Sequence, residues 1–279
     1  MAWVALTLGR PVARLLLYPI CVYYTICSRQ PNRALRTFYQ HAAGRPPGWR
    51  HLYRHYHCFA STILDRVYFL RGRFDLFEVT VHGLGDLDRL LAQGRGCLLL
   101  GSHLGSFEAV RAVGRERKDV EIRVLMDEQN APLLRGLIEE LSPAVAATVI
   151  QVGGPATMLE VKECLNRGGV VGIMGDRLMQ DDQAAHCLFM EELSAFPTGA
   201  MRLAHAVQAP VVLFFGLYRG GNRYDVYLES FSDTVFLSSE AREADLRRWT
   251  QRYADRLAVY CRHTPDNWFN FYEFWSRPS

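Results

Sequence analysis

The sequence predicts an α/β domain with a mixed, largely parallel sheet flanked by helices, preceded by a membrane-associating helical segment. Three observations carry this. A compact apolar run, Cys97–Leu100, is bounded by Gly94 and Gly96 before it and Gly101 after it, as a strand buried on both faces would be. Further short apolar runs alternate with helical stretches, the pattern of βαβ units. The first quarter of the chain also differs in kind from the rest. Residues 1–73 hold eleven arginines, no lysine and one acid, Asp65, a net +10 that leaves −7 for the remainder of a chain of net charge +3.

At 279 residues, 49% hydrophobic and 12% aromatic, the chain has ample core for one large globular unit and is not a disordered sequence. It divides into an anchoring segment, 1–73, and a domain over 74–279. The seven cysteines are scattered, odd in number and without C-x-x-C, which points to reduced thiols in a cytosol-facing protein and away from a disulfide framework or zinc site. A basic, aromatic-rich first quarter calls for an anionic surface as partner. Its apolar residues fit anionic membrane lipids better than nucleic acid.

Within that quarter, Trp3–Cys27 is apolar but interrupted by Arg10, Pro11 and Arg14, and the uninterrupted run Leu15–Cys27 is 13 residues, short of the roughly 20 that cross a bilayer. We read it as an interfacial anchor; a spanning helix over 3–27 and a helix buried in the core are the alternatives. Helices are expected around Arg33–His41 and over Trp49–Arg71, separated by Gly44-Arg45-Pro46-Pro47-Gly48. His51, His55 and His57 stand among Arg50 and Arg54, which would repel a cation, so that helix is read as a basic amphipathic face and not a metal site.

In the domain, Phe77–His82 reads as a strand, a short helix falls within Gly83–Gly94, and the central strand follows. Strands at Glu121–Met126, Val149–Val152 and Val170–Met174 alternate with helices at Leu133–Leu141 and Met158–Asn166. Asp181–Glu192 is polar and mixed, and reads as a loop. Phe196-Pro197-Thr198-Gly199-Ala200 opens a helix to Val207, and Gly220-Gly221-Asn222 marks a hairpin between Val211–Leu217 and Tyr224–Glu229. A long charged helix, Glu240–Cys261, and an aromatic tail, Asp266–Trp275, complete the chain.

In open α/β sheets ligands bind beyond the carboxyl ends of the strands, which is where His103 falls. Glu108 follows five positions later. On a regular helix an i,i+5 pair is splayed by about 140°, so the two can meet only if His103 sits on the turn and Glu108 in the first turns of a helix over Phe107–Val113. Such a pair suits a general base oriented by a carboxylate. A satisfied histidine at a strand end beside a surface glutamate is the plain alternative.

The segment His103–Glu108 is similar to the H-x4-D/E signature of the glycerolipid acyltransferases, and the wider pattern resembles the bacterial lipid A lauroyl/myristoyl acyltransferase branch. Three further blocks match in order. Gly175-Asp176-Arg177 resembles the family's acidic residue at a strand end, facing the histidine; an Asp capping the next turn is the alternative. Phe196–Ala204, with Thr198 and Gly199, resembles the P-x-G block before an apolar helix, and Thr264–Phe271 resembles the closing segment. Asn130 and Arg135 fall where the family places polar groups that contact acceptor or thioester, though positive charge around Asn130 is sparse for a bis-phosphorylated sugar.

The resemblance implies an acyltransferase that moves an acyl chain from an acyl thioester, on acyl carrier protein or coenzyme A, to a hydroxyl of a membrane-associated acceptor. It implies His103 as base, Glu108 orienting it, and Asp176 assisting the base or positioning the acceptor. Arg177, or backbone N–H groups after Gly105, would hold the oxyanion. It requires no metal and no cofactor, because the thioester is already activated. The cytoplasmic face of the inner membrane is the expected location. A thioester hydrolase and a non-catalytic acyl- or lipid-binding protein remain as alternatives, and a lysophospholipid or polyene pigment as alternative acceptors. There is no nucleophile elbow, P-loop or G-x-G-x-x-G.

Overall fold

The computed structural model of the protein describes residues 2–110, 120–126, 132–153, 156–179 and 182–275. Helices α1 (Ala2–Cys27), α2 (Arg29–Ala43) and α3 (Trp49–Leu70) lead into β1 (Glu78–His82) and α4 (Leu84–Ala92). Next come β2 (Cys97–Gly101), β3 (Ile122–Met126), α5 (Pro132–Leu141), the short α6 (Pro143–Ala146), β4 (Val149–Gln151), α7 (Thr157–Asn166) and β5 (Val170–Met174). A hairpin of β6 (Ala184–Phe189) and β7 (Glu192–Pro197), helix α8 (Gly199–Val207), strands β8 (Val211–Tyr218) and β9 (Arg223–Ser232), and helix α9 (Arg242–His263) follow.

Seven strands form one sheet in the order β1-β9-β8-β2-β5-β3-β4. From β8 to β4 all pairs are parallel; β9 runs against β8, and β1 is parallel to β9. The sheet is therefore mixed and largely parallel, as expected. Its central strand explains its own composition. Leu98 and Leu100 face a core with α8, α9 and the β6–β7 hairpin, while Cys97 and Leu99 face a second core with α1, α3 and α4. All five residues of β2 are buried, so a polar side chain is excluded from either face. Every element of residues 1–73 contributes to these cores: Leu17, Leu35 and Leu64 pack in the second with Leu99 and Phe214.

The segment read as a loop over Asp181–Glu192 is instead largely the β6–β7 hairpin. Ala185, Cys187 and Phe189 alternate inward along β6, and the turn is made by Met190 and Glu191, both with positive φ (53° and 75°). Hairpin turns of that hand ordinarily use Asn or Gly, so the sequence carried no turn signal there.

Helix α3 also departs from a uniformly basic face. His55 is fully buried among Phe38, Tyr39, Phe269 and Phe271. Burial pushes its imidazole down to about 3; the backbone of Trp268 opposes this and the Arg54 charge adds to it. Helix α1 kinks at Gly9 (φ 82°, ψ 167°), two residues before Pro11. Six of the seven cysteines are buried and Cys27 is exposed; none is disulfide-bonded.

Candidate active site

Strands β2 and β5 lie side by side with Gly101 opposite Met174. The second residue beyond each strand end is therefore delivered to one place: His103 from β2 and Asp176 from β5. His103 Nδ1 lies 2.8 Å from Asp176 Oδ1, and the His103 backbone N–H donates to Oδ2 at 3.0 Å. Trp268, itself fully buried, donates its indole N–H to the same Oδ2 at 3.1 Å. Burial alone would raise this carboxyl, which is 1% exposed. The His103 charge and hydrogen bonds, with Arg177 behind them, outweigh it and hold Asp176 at about 2. Asp176 is thus an anion at any physiological pH. An acceptor-only carboxylate at Nδ1 places the imidazole proton on Nδ1 and leaves a lone pair on Nε2. The His103 side chain remains 33% exposed.

The turn that presents His103 is clamped on both sides. The Gly105 N–H donates to the Asn267 carbonyl at 2.7 Å, the Phe269 N–H to the His103 carbonyl at 2.9 Å, and the Ser106 N–H to the Gly216 carbonyl at 2.7 Å. Gly105 has φ +76°, and a Cβ there would sit 1.9 Å from the Gly216 oxygen, so only glycine fits. Asn267 fixes the tail in turn: its side chain accepts the Tyr218 N–H at 2.7 Å and donates to the Tyr218 carbonyl at 3.3 Å. The Tyr253 hydroxyl, from α9, caps the Gly101 carbonyl at 2.8 Å.

A buried carboxylate, a partly exposed histidine and a clamped turn thus meet at the carboxyl edge of the parallel sheet. The profile of the bacterial lipid A biosynthesis acyltransferases matches residues 69–277. The chain belongs to this family. No curated protein matches it.

In this acyltransferase only one of the two carboxylates expected at His103 is there: Asp176 meets the ring and Glu108 does not. Glu108 faces Arg66 of α3, with Nε 2.7 Å from Oε1, and takes the Ser106 hydroxyl at 3.3 Å. It lies in a turn over residues 107–109, ahead of helical residue Val110; the remainder of the expected helix lies outside the described residues. The carboxylate on His103 is that of Asp176, because strand register outweighs sequence proximity. The N–H groups of Gly105 and Ser106, two of the candidate oxyanion donors, already have carbonyl partners.

Arg177 donates to the Phe269 carbonyl at 2.6 Å, and its Nε is buried beside the site. The Thr198 hydroxyl donates to the Gln183 carbonyl and accepts from Arg202, tying the β6–β7 hairpin to α8; Gly199 is the exposed first residue of α8. Arg135 is exposed on α5 and pairs with Glu139 at 2.8 Å, one helical turn on. Asn130 lies outside the described residues. Trp268, Asn267 and Arg66 are the residues around the site that spacing did not single out. For Trp268 and Asn267 the signal in the sequence was the aromatic tail itself, whose Thr264–Phe271 block, with both residues in it, resembles the family's closing segment.

Proposed function

We propose that this family member transfers an acyl chain from acyl carrier protein to a hydroxyl of a lipid or glycolipid at the cytoplasmic face of the inner membrane, with His103 as general base. The 2.8 Å contact of His103 with buried, anionic Asp176 carries this reading. His103 Nε2 takes the hydroxyl proton as the oxygen adds to the thioester carbonyl carbon. Asp176 balances the imidazolium that forms. Arg177, one residue on, would meet the oxyanion. Collapse of the tetrahedral intermediate breaks the C–S bond, and the imidazolium returns its proton to the departing thiolate. Glu108 acts through Arg66, bracing the turn from the α3 side. Thr198, Gly199, Asn130 and Arg135 would line the route of acceptor or donor.

The test is labelled acyl-thioester turnover with and without a membrane lipid extract, run in parallel with acyl carrier protein and coenzyme A donors. Label appearing in lipid only when extract is present supports transfer. Free acid released at the same rate without acceptor identifies a hydrolase, and bound but unconverted thioester a binding protein.

A further inference from the structure

The manner in which α1 meets the membrane is written in its contacts. Over Ala5–Cys27 the helix is long and apolar enough to cross a bilayer by length and composition, with mean hydropathy 1.3. It is also docked along almost its whole length. It runs antiparallel to α3, with the Ala5 carbonyl on the Tyr68 hydroxyl, Arg10 on Asp65, Tyr18 against His57 and Tyr24 stacked on Tyr56.

The two charges that interrupt the apolar run both point into the protein. Arg10 grips the fully buried Asp65 through Nε at 2.7 Å and a terminal nitrogen at 2.9 Å, and reaches the Gly221 carbonyl at 2.6 Å. Tyr224 adds its hydroxyl to Asp65 at 2.8 Å. Arg14 takes the Gly221 carbonyl and the Tyr218 hydroxyl, each at 3.0 Å. If α1 crossed a bilayer in this packing, it would carry Arg54, Asp65, Arg66 and the β8–β9 turn into hydrocarbon, where every one of those groups is costly. The opposite face is apolar and open: Trp3, Leu8, Val12, Leu15, Tyr23 and Ile26 are each more than 40% exposed. Two residues past Cys27, α2 presents exposed Arg29, Arg33 and Arg36 at i, i+4 and i+7 as one cationic stripe, of which Arg33 also reaches Glu273 at 3.4 Å.

We infer that α1 does not span: it lies in the plane of an anionic bilayer surface, clipped to the catalytic body on one side and sunk among acyl chains on the other. The Arg29, Arg33 and Arg36 stripe meets lipid phosphates at its edge. The inference rests on the membrane association proposed above. It places both ends of α1 on the same side of the bilayer as His103.

The test is an epitope tag fused ahead of Met1 in the full chain, with sealed membrane vesicles whose cytoplasmic face is outward. Protease should remove the tag without detergent. A tag protected until detergent is added overturns the in-plane geometry. A chain missing from the membrane fraction altogether would overturn the membrane reading beneath it, a distinguishable result. As a second measurement, purified full-length protein is titrated with phosphatidylglycerol and with phosphatidylcholine vesicles. Replacing Arg29, Arg33 and Arg36 together by Gln should weaken binding to the anionic vesicles by roughly a hundredfold and leave binding to the neutral ones unchanged. Equal binding of the unaltered protein to both vesicle types removes the headgroup role.

Discussion

His103 and Asp176 are joined twice, ring nitrogen to Oδ1 and backbone nitrogen to Oδ2, so the carboxylate fixes both the orientation of the imidazole and the turn that carries it. Replacing Asp176 by Asn keeps the shape but offers a donor where Nδ1–H needs an acceptor. Acyl transfer should fall by at least about a hundredfold, as it should in His103→Ala. Steady-state assay of Asp176→Asn at more than a tenth of the unaltered rate would remove Asp176 from the base.

Glu108 answers to a different partner. Its pairing with Arg66 at 2.7 Å predicts that Glu108→Gln and Arg66→Met each lower stability by about 3 kcal/mol, since each leaves the other group stranded. The double variant should lose much less than the sum. Additive losses in a denaturation cycle would show that the two act independently, and would return Glu108 to a direct role at His103.

Trp268→Phe deletes one N–H from Asp176 and keeps the ring that packs on Phe38, Phe189 and Phe274. The expected result is a kcat lowered about tenfold, the worth of one hydrogen bond to a charged group, with KM unchanged. An unchanged kcat would make Trp268 a packing residue only.

Gly105 and Gly44 share a positive φ, +76° and +68°, but a Cβ at Gly44 meets nothing within 4 Å whereas one at Gly105 meets the Gly216 carbonyl. Gly44→Ala should therefore cost only the left-handed strain, about 1–2 kcal/mol. Gly105→Ala should cost clearly more and abolish activity. Similar melting temperatures for the two would show that the turn at Gly105 can move aside.

His55 makes folding sensitive to acid. Its native value of about 3 lies below the ordinary 6.5, so the unfolded chain binds the extra proton between those values. Stability is fully present above about pH 6.5 and is lost as pH falls through about 3, by on the order of 5 kcal/mol at the acid end. Asp176 adds a second loss only between about pH 4 and 2. His55→Gln should flatten the pH dependence of the melting temperature between pH 6 and 4, whatever its effect on absolute stability. An unchanged slope would assign that acid sensitivity elsewhere.

Much of this architecture was legible in the chain, because apolar runs such as Cys97–Leu100 and the Gly220-Gly221-Asn222 turn express local physics. His103 and Asp176 were legible as residues, each just past a strand end. Spacing alone did not pair them, because the pairing depends on the β2–β5 register and sequence proximity favoured Glu108; only the family resemblance set Asp176 facing the histidine. The β6–β7 hairpin escaped notice because Met190 and Glu191 adopt a backbone conformation their side chains do not advertise. His55 looked solvated among arginines, and only the folding of the aromatic tail over α3 encloses it.

That same tail sets the order in which the molecule comes together. Asp176 waits for a donor 92 residues further along the chain, and the turn at Gly105 is clamped by Asn267. Contacts of such separation are slow to form, while α3 and α9 need only their near neighbours. During refolding, helical signal should return well before acyl-transfer activity. The half-assembled molecule would hold His103 on an open turn, with Asp176 short of its indole donor, and so would be chemically silent until the fold is complete.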